Sequence, residues 1–239
     1  MDAVMPLFFL FALGIIVLVV IGIIYGKKQE EERLRALQAL AAQKGMAFTQ
    51  GDPVGLVARL ANLSPFNGGH DEEATNVMIG DCGGLKLVLF DYKYTTTETS
   101  TDSKGRTTRR EVDHHLSACI HALTLPYPPL TIRAEGFFDK VAGFFGADDI
   151  DFESDEFSRK FHVAGPDRKF AYDVCHPRMM EFLLATRGWH IELTDGLWVL
   201  QTGARWTPEE FRAAIDFTTQ FFALIPDFVR REYAERAGT

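Results

Sequence analysis

Three stretches of this chain carry side chains that could bind a metal or act as a nucleophile. The first is His114-His115-x3-Cys119-x-His121. Imidazole and thiolate are common zinc donors, held at ~2.0–2.3 Å from the ion. In an extended strand His115, Ser117, Cys119 and His121 share one face, and Leu116, Ala118, Ile120 and Ala122 take the other. His115 and Cys119 then lie ~13 Å apart at ~3.3 Å per residue, too far for one ion. Only Cys119 with His121 can share a metal, with ligands from elsewhere, and the plainer reading is the polar face of an exposed strand. The second stretch is acidic: Asp148, Asp149, Asp151, Glu153, Asp155 and Glu156. Asp149, Asp151 and Glu153 alternate with Ile150 and Phe152, so they line one strand face. Calcium takes several such oxygens, but the glycine and closing glutamate of an EF-hand loop are missing, which favours a solvated face. The third is Cys175-His176, a thiol beside a base. Adjacent side chains rarely aim at one atom, and His176 stands where a helix cap is expected ahead of Pro177.

A basic cluster follows a polar, Thr-rich stretch: Lys104, Arg106, Arg109 and Arg110. Its chemistry suits anionic headgroups if a bilayer is near; the plainer reading is a solvated hairpin tip. Phosphate-loop, dinucleotide-binding, serine-hydrolase elbow and zinc-protease motifs are missing from the sequence. No cofactor is therefore expected, and an enzyme is the less favoured reading. The chain carries a net charge of −8, which argues against general binding to a phosphate backbone. Its three cysteines, Cys82, Cys119 and Cys175, are odd in number and widely spaced. That is no disulfide framework, and it suits a reducing compartment.

The elements that would position these groups begin with residues 6–25, PLFFLFALGIIVLVVIGIIY, which hold no charge. Twenty residues of helix span ~30 Å, the thickness of a hydrocarbon core. A cleaved signal peptide fits poorly: no Lys or Arg precedes the run, the run is long, and no small-x-small site follows it. The expectation is a single transmembrane helix with the lipid bilayer as its partner. Lys27, Lys28, Arg33 and Arg35 flank its C-terminal side and only Asp2 its N-terminal side. Positive charge stays inside, so the N-terminus is expected outside and the rest in the cytoplasm, at the inner membrane. Residues 1–5 are a short tail and residues 26–45 a juxtamembrane helical stalk. The stripe Leu34, Leu37, Leu40 and Ala41 packs on the domain or on a partner, and Gly45 stops the helix.

Residues 46–239 read as one soluble α+β domain with a mixed, mainly antiparallel sheet and flanking helices, because strands and helices do not alternate strictly. Residues 54–63 read as a short helix, 67–74 as a polar loop and 76–81 as a strand. Gly83-Gly84 reads as a tight turn. Residues 85–95 alternate, with Leu85, Leu87, Leu89 and Asp91 on one side and Lys86, Val88, Phe90, Tyr92 and Tyr94 on the other. Residues 95–110 read as a long flexible hairpin loop, and 111–124 as the returning strand. Strands are expected at 130–134, 149–153 and 161–164, and a short helix at 137–145. A helix over 177–186 has Pro177 at its first position and Gly188 past its end. A hairpin is expected about Thr194-Asp195-Gly196. Thr207-Pro208-Glu209-Glu210 forms a capping box, and Phe211, Ile215, Thr218, Phe222 and Ile225 continue that helix to Pro226. Residues 227–236 read as a charged helical tail.

Five segments stand out together: Gly45-Met46-Ala47-Phe48; Asn76-Val77-x-x-Gly80 leading to Phe90-Asp91-Tyr92-x-Tyr94; Leu125-Pro126 ahead of Ile132-Arg133-Ala134-Glu135; Asp149-Ile150-Asp151-Phe152; and Phe157-Ser158. In these the chain resembles a group of uncharacterised bacterial single-pass membrane proteins, over most of residues 45–205. The resemblance implies a bacterial, membrane-anchored protein and transfers no functional residue. The function expected is a binding, scaffold or accessory role at the cytoplasmic face of the membrane. The alternatives are a metal- or thiol-dependent enzyme using Cys119/His121 or Cys175/His176, and a lipid-headgroup-binding domain using Lys27, Lys28, Arg106, Arg109 and Arg110.

Overall fold

A computed structural model of the chain describes residues 4–103, 105–134, 150–186 and 188–238, with the side chains of the first helix described from Leu13 onward. That helix, α1 (Val4–Gln43), is unbroken over 40 residues. Every large apolar side chain from Leu13 to Tyr25 is exposed, around the whole circumference. Among the described side chains, no helix is long and apolar enough to cross a membrane. Leu37, Leu40 and Ala41 are buried in the main core, so the C-terminal end of the helix belongs to the domain rather than to a free stalk.

The domain is α+β, as expected. Among the described residues the strands all pair antiparallel in one eight-stranded sheet, β1 (Ala47–Thr49), β2 (His70–Cys82), β3 (Leu85–Thr101), β4 (Thr107–Ala122), β5 (Leu130–Ala134), β6 (Phe161–Ala164), β7 (His190–Thr194) and β8 (Leu197–Gln201), in the order β1-β2-β3-β4-β8-β7-β5-β6. Period-two alternation gives the sheet two apolar faces. One carries Leu87, Leu89, Cys119, Ile132, Ile191 and Leu200 into a large core. It is covered by the end of α1 and by the helices α3 (Asp155–Lys160), α4 (Arg168–Val174), α5 (Pro177–Ala185), α6 (Pro208–Leu224) and α7 (Asp227–Ala237). The other carries Val77, Phe90, Tyr92, Leu116, Ala118 and Val199 beneath the short helix α2 (Leu56–Leu60) and Phe66.

Several local expectations hold. Gly83 and Gly84 turn β2 into β3 with φ of +65° and +81°, a conformation in which glycine meets no Cβ penalty. Thr207 and Glu210 make both bonds of the capping box at the start of α6. Pro177 opens α5 with His176 at the cap position.

Others are corrected. Residues 95–110 are not a flexible loop: β3 and β4 pair without interruption from Leu87↔His121 to Thr101↔Thr107. Thr has high strand propensity, and a run of it reads as loop only when the paired partner is unseen. The polar stretch 67–74 likewise enters β2 at His70. The helix expected over 54–63 shortens to α2. Ile150 to Glu153 adopts no regular strand. The strand β1 and the helix α4 were not expected. The helix expected at 137–145 and residues Asp148 and Asp149 lie outside the described residues.

Candidate functional site

The most concentrated polar chemistry in the domain surrounds Asp91, a carboxylate in the apolar row of β3. Alternation places it on the face of Leu87 and Leu89, beneath α1. Its side chain is only 6% exposed, a costly place for a charge unless it is paired and hydrogen-bonded. Arg33 of α1 supplies the pair, donating from Nη1 to Oδ2 at 2.7 Å and from Nη2 to Oδ1 at 2.9 Å. This is the bidentate fork that suits a guanidinium to a carboxylate. Ser117, the residue opposite on β4, donates its hydroxyl to Oδ1 at 2.5 Å. Asn76 donates its amide to Oδ2 at 2.9 Å. A register irregularity in β2 between Thr75 and Met78, with Asn76 at φ +51°, turns that side chain toward the carboxylate.

The network continues outward. Arg33 also donates from Nε (3.1 Å) and Nη2 (2.7 Å) to the carbonyl of Trp206, ahead of α6, and its guanidinium lies 5.8 Å from the ring centre of Phe211. The Trp206 amide donates to the Ser117 hydroxyl at 2.9 Å. Arg205 bridges Glu30 on α1 (2.5 and 2.8 Å) and Asp91 (3.4 Å). Burial pushes the Asp91 carboxyl upward, but hydrogen bonds from Arg33, Ser117 and Asn76, with the charge of Arg33, outweigh it. They hold Asp91 below the usual carboxylate range. Glu30 is lowered too, chiefly by its hydrogen bond from Arg205. A carboxylate held ionised with its oxygens occupied by donors is a poor proton acceptor. The cluster is built to position α1 on the sheet, not to move protons.

A cleft of about 360 Å³ opens on the same layer beside His121, Leu125, Tyr127, Phe222 and Arg230. The Nδ1–H of His121 donates to the Lys86 carbonyl at 2.9 Å, which leaves Nε2 as the acceptor in the neutral ring. Arg230 donates to the carbonyls of Phe222 and Ile225 at the end of α6, so its main work there is capping.

The residues singled out by sequence do not converge on this chemistry. Cys119 and His121 are not on an exposed strand face: both are buried, Cys119 wholly so. The surrounding core pushes the Cys119 thiol up to about 12, and its sulfur meets the Thr218 hydroxyl at 3.8 Å. Cys175 is buried and also raised by desolvation, while His176 spends Nε2 on the Leu224 carbonyl at 3.0 Å. Neither thiol has the exposure or thiolate character of a nucleophile. Asp151 and Glu153 are exposed and separated, and among the described residues no three His, Cys, Asp or Glu side chains approach closely enough to hold a metal ion. Lys27 and Lys28 are exposed on α1, and Arg106, Arg109 and Arg110 are exposed at the β3–β4 turn. Sequence reasoning missed Asp91, Asn76, Ser117 and Arg205. The available signal was one acid in an apolar alternating row.

With this geometry in hand, the fold has a counterpart. The crystal structure of the mycobacterial trehalose monomycolate transport factor A, TtfA, superposes with a TM-score of 0.54, covering 81% of this chain and 96% of that one at 12% sequence identity. At that identity the likeness is one of fold alone. No family model and no curated relative matches the sequence.

Proposed function

We propose that this chain is a membrane-tethered binding or accessory domain, held at the cytoplasmic face of the bacterial inner membrane by residues 6–25. One observation carries the reading. The first helix is a single rod that is apolar and exposed on every side from Leu13 to Tyr25, while its C-terminal end is buried in the domain. A helix apolar all round, with no protein against it, has lipid as its natural solvent. The exposed stretch from Leu13 joins, in the same backbone helix, the apolar residues from Pro6 onward. Together they reach the ~20 residues a span requires.

The Arg33–Asp91 network supports an accessory role. It ties the helix to the sheet within three turns of the bilayer, so the domain keeps a set orientation to the membrane rather than swinging on a linker. The solved neighbour is a transport factor, and a helper of that kind is the class of role proposed here. The burial of Cys119 and Cys175 weighs against the thiol-enzyme alternative.

The test is expression of the full chain in a bacterium. The expected result is a membrane fraction from which alkaline carbonate does not extract the protein, with the domain digested by protease only after the inner membrane is opened. Recovery in the aqueous fraction without detergent overturns the anchor. Turnover of a substrate by purified protein in a broad hydrolase screen overturns the accessory role.

A further inference from the structure

We propose that the tip of the β3–β4 hairpin lies on anionic lipid headgroups beside the emerging first helix; this rests on the membrane-anchored reading above. The relative run of α1 and β3 carries it. At the C-terminal end of α1, Gln43 and Lys44 share a concavity with Asp81, Cys82 and Gly83, next to the start of β3. Ten residues earlier on the helix, Arg33 holds Asp91, six residues along the strand. The two elements are therefore antiparallel: going back along α1 toward the membrane is going forward along β3 toward its tip.

Lengths then allow the tip to reach the membrane surface. From Asp91 to Thr101 the strand advances ~33 Å at ~3.3 Å per residue. From Arg33 back to Tyr25 the helix covers only ~12 Å. The hairpin reaches the level of Tyr25 at any inclination to the helix below roughly 65°.

The chemistry of the tip matches that position. β2 leaves the sheet at His70, opposite Thr95. Beyond it β3 and β4 continue as a two-stranded ribbon whose side chains are exposed from Thr97 onward. Such a ribbon is marginal alone in water and gains from a surface to lie on. Four basic and no acidic residues fall between Ser103 and Arg110. Arg106 pairs with Asp102, while Arg109 and Arg110 have no ion-pair partner among the described residues. Lys27 and Lys28 mark the same leaflet as cytoplasmic, which is the anionic one. Arg109 and Arg110 at such a surface favour contact by on the order of tenfold.

The experiment is amide hydrogen exchange on the full chain reconstituted in vesicles of phosphatidylcholine, with or without phosphatidylglycerol. The expected result is several-fold slower exchange at residues 96–101 and 107–112 on the anionic vesicles. High salt reverses it, and so does the triple substitution Arg106→Gln, Arg109→Gln, Arg110→Gln, whose exposed positions leave the core intact. Equal exchange on both vesicles, from protein that resists carbonate extraction, overturns the inference and leaves the anchor standing. Protein that extracts from both overturns the anchor and the inference together. Protection that appears only in native membranes and survives the triple substitution assigns the ribbon to a protein partner and overturns the lipid assignment.

Discussion

Arg33 and Asp91 form a two-bonded ion pair, 2.7 and 2.9 Å, between a helix that continues into the apolar run and the centre of an eight-stranded sheet. The pair is enclosed: side-chain exposure is 14% for Arg33 and 6% for Asp91. Breaking a buried pair from one side leaves an uncompensated charge, at a typical cost of ~3–5 kcal/mol. Arg33→Leu is therefore expected to lower the urea midpoint of the full chain in detergent by that order. Asp91→Asn is expected to cost less, because an amide retains acceptor capacity for Arg33 and Ser117. A double substitution that costs the sum of the two single ones would deny the coupling.

The same carboxylate predicts acid sensitivity. Its pKa lies lower in the folded chain than in the unfolded one, where it is ~3.9. The unfolded chain thus binds the proton first as pH falls. The contribution of the pair is complete above ~3.9 and is lost as pH drops toward the folded value. Unfolding midpoints measured from pH 7 to pH 3 should fall more steeply for the wild-type chain than for Asp91→Asn. Parallel curves would show that Asp91 does not carry the effect.

Thiol chemistry should follow burial. Cys82 is partly exposed, while Cys119 and Cys175 are in the core. A disulfide exchange reagent on native protein is expected to titrate one thiol slowly, because Cys82 is itself pushed upward by partial burial, and all three after denaturation. Rapid native labelling at Cys175 would reopen the thiol-enzyme alternative.

Gly80 leaves room for Met46. A Cβ at position 80 would stand 2.7 Å from the Met46 Cγ and 2.9 Å from its Cα. The backbone atom cannot swing away, so Gly80→Ala is expected to destabilise by ~1–3 kcal/mol, as overpacking does. Thermal unfolding in detergent checks it, and an unchanged midpoint would mean that β1 sits farther from β2.

Removal of the Thr207 hydroxyl offers a milder control. Thr207→Ala should cost ~1 kcal/mol, through loss of the bond from the Glu210 amide to the Thr207 hydroxyl, while the backbone amide at position 207 still donates to the Glu210 carboxylate and the Arg33 pair is untouched. The same denaturation curves would show it.

Much of this was legible locally. The period-two row through Leu87 and Leu89 already put Asp91 on the face that proved to be covered, and Thr207-Pro208-x-Glu210 announced α6 in full. The ribbon was not legible, because residues 96–101 carry no apolar alternation. They are strand only because residues 107–112 pair with them. The burial of Cys119 was misread for a related reason: its neighbours Ser117 and His121 are polar, and what covers the row is α6, nearly a hundred residues later.

The amino-acid order by itself determined the uncharged run of residues 6–25, the helix caps, the glycine turn and the pairing faces of the central strands, since each arises from side chains within one or two turns of each other. Only the tertiary structure decided that Arg33 leaves the charge cluster after the apolar run to meet Asp91, 58 residues away. It also decided that Asn76 and Ser117 complete that site. A charge in sequence has many possible partners. Burial leaves it one, because only a fully bonded pair can be taken out of water.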